Sequence, residues 1–86
     1  MGKLKLHEIL TSLVLSSEER RAVDSVCRFL KENPSTIAQV SEYACESKLF
    51  GSSPYHANYV NYAIGVLERN GIIESNSLGI YSVKRS

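Results

Sequence analysis

The stretch Tyr59-Val60-Asn61-Tyr62-Ala63-Ile64-Gly65-Val66-Leu67-Glu68-Arg69-Asn70-Gly71-Ile72-Ile73 decides how this chain folds. Its first part repeats apolar residues at Val60, Ala63, Ile64 and Leu67, the spacing that gathers them on one face of a helix. Asn70-Gly71 then ends the helix, because glycine takes left-handed backbone angles without steric cost. After Gly71 the apolar period changes from 3.6 to 2. Ile72–Ser75 and Ile80–Val83 therefore read as short strands around an Asn76–Gly79 turn.

Upstream, the pattern is helical throughout. Leu6, Ile9, Leu10, Leu13 and Val14 form one stripe over residues 4–15. Ser16 and Glu19 have the spacing of a reciprocal N-terminal cap. They open a second helix over residues 17–32, with Val23, Val26, Cys27 and Leu30 inward and Ala22 and Phe29 at its edges. Asn33-Pro34 closes it, since a residue before proline is pushed out of helical angles. Thr36 and Gln39 repeat the cap, and Ile37, Val40, Ala44 and Cys45 mark the inner side of a third helix ending near Ser47. Lys48–Ser53 reads as a turn, and Pro54 suits the first position of a fourth helix over residues 54–69.

The stretch quoted first resembles the recognition-helix-to-wing junction of winged helix-turn-helix proteins, such as MarR-like or small archaeal- and viral-type regulators. Val60, Ala63-Ile64 and Leu67-Glu68-x-x-Gly71-Ile72-Ile73 carry the resemblance, which extends over about residues 17–84. It implies a mainly α winged-helix fold with a small β-hairpin: a three-helix core plus wing, preceded by an extra amphipathic helix. One domain over residues 1–86 is expected, with 1–15 as the added helix and 17–84 as the core.

The implied function is sequence-specific binding of double-stranded DNA by a transcriptional regulator, the helix at 54–69 entering the major groove. Its outward side would then be Tyr55, His56, Asn58, Tyr59, Asn61, Tyr62 and Glu68 or Arg69. Asparagine pairs bidentately with adenine edges, and tyrosine hydroxyls reach phosphates. Lys48, Lys84 and Arg85 are the expected phosphate contacts. The three tyrosines have two other readings, as the rim of a protein-binding surface or as packing against the long turn.

Charge gives this reading modest support. Ten basic residues face nine acidic ones, for a net +1. Residues 47–86 are the basic half, with Lys48, Arg69, Lys84 and Arg85 against Glu68 and Glu74. The helix at 54–69 has no cation before Arg69, and the wing turn Asn76-Ser77-Leu78-Gly79 is uncharged. Both departures favour the alternative, an accessory subunit binding protein in a replication, transcription or sorting complex. Arg20, Arg21, Arg28 and Lys31 are interleaved with acids and read as a solvated helix face.

The N-terminal stripe packs on its own domain or pairs with a second copy. The second option is preferred, giving a homodimer with two recognition helices on successive half-sites. Cys27 and Cys45 are expected as buried thiols in a reducing, cytoplasmic setting, a disulfide between them being the weaker option. His7 and His56 lie far apart without partners at metal-ligand spacing, so no metal or cofactor is expected. No nucleophile–histidine arrangement and no phosphate-binding glycine loop is present, so no catalysis is expected. The apolar part of residues 4–15 is too short to span a bilayer, and no membrane association is expected.

Overall fold

Reciprocal side-chain caps set where the chain enters two of its helices. The computed structural model describes residues 5–11, 15–49 and 55–84. Its elements run α1 (Leu6–Leu10), α2 (Ser17–Glu32), α3 (Ile37–Glu46), α4 (His56–Arg69), β1 (Ile73–Ser75) and β2 (Tyr81–Val83). At α2, Ser16 Oγ accepts from the Glu19 backbone N–H at 3.1 Å, and the Glu19 carboxylate accepts from the Ser16 N–H at 2.9 Å. Thr36 and Gln39 make the same exchange at α3, at 3.2 and 2.9 Å. Each cap satisfies two N–H groups that a helix start would otherwise leave open.

The helix ends are equally specific. The Gly71 N–H donates to the Glu68 carbonyl at 3.0 Å, and the Ile72 N–H donates to Leu67 at 2.9 Å. Gly71 has φ +72°. This is the double closure that left-handed glycine permits at a helix C-terminus. The end of α3 has the same pattern: Lys48 N–H to Cys45 at 3.2 Å and Leu49 N–H to Ala44 at 3.1 Å. Here the left-handed position, φ +51°, is held by Lys48, a residue with a Cβ.

Three helices and the first strand supply the centre of the core. Val23, Val26 and Leu30 of α2 and Val60 and Leu67 of α4 are fully buried, with Val40 of α3 and Ile73 of β1 closing the ends. Ala22 is also fully buried and belongs to the core, whereas the sequence reading puts it at an edge. Val66, absent from the expected inner face of α4, is buried as well. Two expectations for α3 are corrected. Ile37 is 36% exposed and Cys45 is exposed. Val40 and Ala44 lie one turn apart and reach the core, while Cys45 follows Ala44 by about 100° of helix rotation and turns outward. Both thiols are free.

The N-terminal helix is shorter than the expected residues 4–15, since α1 stops at Leu10 with Thr11 as its C-cap. Its described stripe packs within its own chain, Ile9 buried and Leu6 and Leu10 against the core. Leu13 and Val14 lie outside the described residues.

The hairpin pairs Ile73 with Val83, Glu74 with Ser82 and Ser75 with Tyr81, antiparallel. Each strand is a residue shorter than its apolar run suggests, leaving Ile72 and Ile80 as flanks. Asn76 Oδ1 accepts from the backbone N–H groups of Leu78 (2.9 Å) and Ile80 (3.1 Å), and Gly79 takes φ +78°. The tip is therefore held by the Asn76 side chain together with backbone bonds from the Asn76 N–H to Ile80 (3.1 Å) and from the Gly79 N–H to Asn76 (3.0 Å). The segment between α2 and α3 joins the hairpin through a bridge from Ser35 to Tyr81. Four helices followed by a small antiparallel hairpin are compatible with the expected winged helix. Among the described residues, no helix is long and apolar enough to cross a membrane.

Candidate nucleic-acid interface

Burial on one side of α4 determines what the other side offers. Val60, Ala63, Ile64 and Leu67 hold the helix to the core. Asn58, Asn61, Glu68 and Arg69 are exposed on the opposite side, with Ala57 beside them. Gly65 falls in the middle of this face, and a Cβ built there meets nothing within 4 Å. Ala57 and Gly65 are absent from the residues expected at the interface. Spacing alone points to Gly65, since Asn58, Asn61 and Gly65 follow one another at three and four residues; Ala57 has no such signal.

The tyrosines divide. Tyr55 stands at the N-cap position of α4 without a side-chain cap hydrogen bond and is 60% exposed. Tyr59 and Tyr62 are half-buried and pack against the core, so part of each ring is structural. Partial burial raises the Tyr62 phenol above its ordinary pKa; the Glu19 carboxylate adds to this and Arg69 opposes it. His56 is partly exposed in the first turn.

The expected phosphate contacts sit at separate places. Lys48 is exposed at the end of α3, and Lys84 is exposed just after β2. The Lys84 backbone N–H donates to the Ile72 carbonyl at 2.9 Å, which fixes the base of the hairpin. Arg85 lies outside the described residues.

Arginines of α2 line a groove of about 520 Å³ together with Leu10, Ser17 and Asp24. They are engaged within the chain. Arg20 donates to the Leu15 carbonyl at 3.2 Å, Arg21 to the Leu49 carbonyl at 3.4 Å, and Arg28 pairs with Asp24 at 3.2 Å. Among the described residues, no three His, Cys, Asp or Glu side chains are grouped to hold a metal ion. Set against known proteins, the chain matches no protein-family model, no curated protein and no solved structure.

Proposed function

We propose that this chain is a winged-helix protein that binds double-stranded DNA sequence-specifically and regulates transcription, with α4 in the major groove. The observation that carries the reading is the outward face of α4. Asn58 and Asn61 stand exposed on a helix whose other side is locked into the core. A helix fits the width of the major groove, and asparagine is one of the few side chains that pairs bidentately with a base edge there. The hairpin follows α4 after a single tight closure, which is the order a wing requires.

Lys48, Arg69, Lys84 and Arg85 are the proposed phosphate contacts, and the protein would act in the cytoplasm at the nucleoid. Two copies on two half-sites are part of the proposal. Leu6, Ile9 and Leu10 pack inside the chain, so the contact between copies is not assigned to them.

A second reading, a protein-binding accessory subunit, is favoured by Tyr55 and by Leu78, the latter 76% exposed at the hairpin tip. Tyrosine is enriched among the anchors of protein interfaces, and an exposed leucine adds apolar area beside it. Titration of random duplex in a gel-shift assay at two salt concentrations separates the two. The DNA reading expects binding that tightens as salt falls. Affinity weaker than about 10⁻⁴ M at low salt, with no salt dependence, would overturn it.

A further inference from the structure

The outward face of α4 also restricts which DNA it would read. We infer, resting on the DNA-binding reading above, that α4 recognises a short A·T block through Asn58 and Asn61 in the major groove. Each base pair presents its own set of groups there. Adenine offers N7 and the N6 amino group, which an Asn amide matches with one donor and one acceptor. Thymine adds a methyl group, for which a small apolar side chain such as Ala57 is the matching contact.

Guanine and cytosine are read by other residue types. Guanine calls for arginine or lysine, and cytosine for a carboxylate. Neither occurs on α4 between His56 and Leu67; Glu68 and Arg69 come only in the last turn. Over the first three turns the exposed residues are Ala57, Asn58 and Asn61, with Gly65 partly exposed in line with the asparagines. These side chains are short, and the open space at Gly65 lets the helix backbone come close to base edges. At about 1.5 Å per residue, Asn58 to Gly65 spans roughly 10 Å, or about three base pairs. The A·T block is therefore about three base pairs long in each half-site, and Glu68 and Arg69 face its border.

The full chain is titrated against three duplexes of equal length. One carries A·T blocks, one carries G·C in their place, and the third is the A·T duplex with 7-deazaadenine, which lacks the N7 acceptor. Expected is a preference of about tenfold or more for A·T over G·C, lost with 7-deazaadenine. Asn58→Ala/Asn61→Ala should bring the two natural duplexes toward equal affinity. Both positions are exposed on a helix, so circular dichroism should show the variant folded as the parent.

Equal affinity for A·T and G·C overturns the inference and leaves the DNA-binding reading standing. An A·T preference unchanged by 7-deazaadenine also overturns it, because readout would then come from the minor groove or from duplex shape. Binding to none of the duplexes overturns both.

Discussion

Ser35 and Tyr81 exchange both of their backbone hydrogen bonds, at 3.0 Å from the Ser35 N–H and 2.7 Å from the Tyr81 N–H. They are 46 residues apart in sequence, and the bridge ties the α2–α3 segment to the second strand of the hairpin. Ser35 is buried and its hydroxyl donates to the Asn33 carbonyl at 2.7 Å. Ser35→Pro removes a buried donor and should cost about 2–3 kcal/mol in urea unfolding. Ser35→Ala keeps the bridge and should cost about 1 kcal/mol. Equal losses would show that the bridge does not hold the hairpin.

Lys48 sits in a left-handed conformation that an L-residue adopts at a cost of roughly 1–2 kcal/mol. Lys48→Gly should therefore raise stability, by about 0.5–1 kcal/mol after the entropy of the unfolded glycine is set against it. If Lys48 also touches phosphate, the same variant binds DNA more weakly while melting at a higher temperature. Stability and affinity moving in opposite directions separates the two roles.

Gly71 and Gly65 should respond oppositely to alanine. Gly71→Ala places a Cβ at φ +72° and should destabilise by about 1–2 kcal/mol in thermal melts. Gly65→Ala adds a methyl in open space on a helix and should stabilise by about 0.5–1 kcal/mol. That methyl would stand on the proposed groove-facing surface, so affinity for the preferred duplex should fall.

Asn61→Ala should cost about 1–3 kcal/mol on the preferred site and relax sequence preference. Lys84→Ala should weaken all sequences alike and flatten the salt dependence by about one unit of slope. A uniform loss on every sequence for Asn61→Ala would remove its role in base readout.

A colorimetric thiol titration should find Cys45 reactive in the native protein and Cys27 protected until the chain unfolds. Burial raises the Cys27 pKa above its ordinary 9.0, with Asp24 adding to the shift and Lys31 opposing it. The unfolded thiol thus ionises first as pH rises, so this group's contribution to stability is full below about pH 9 and fades through the folded pKa. Cys27→Ala should make the stability profile flatter above pH 9.

The element order was legible because local chemistry and apolar period agree. Ser16 with Glu19, Thr36 with Gln39, and Asn70-Gly71 mark boundaries that the structure reproduces within a residue or two. Side-chain burial was less legible where a face is narrow. Ile37 and Cys45 are apolar residues of α3 that its helical rotation leaves outside, and nothing in their own chemistry distinguishes them from Val40 and Ala44. The Ser35–Tyr81 bridge was not foreseen, since a single pair of backbone groups leaves no periodic trace. On α4, the exposure of Asn58 and Asn61 is legible from their type and spacing. Ala57 and Gly65 carry no polar group that would mark them.

The engagement of the α2 arginines within the chain limits the donors they offer a phosphate, and the pairing of Arg28 with Asp24 also offsets its charge. Arg20, Arg21 and Arg28 answer first to Leu15, Leu49 and Asp24. Of the seven other Lys and Arg residues, four are the proposed phosphate contacts, Lys48, Arg69, Lys84 and Arg85. Displacing counterions from about four phosphates gives log K a slope near −3.6 against log ionic strength, far shallower than that of a strongly basic repressor. Long-range steering would be correspondingly weak, and discrimination would fall to short-range contacts made only after docking.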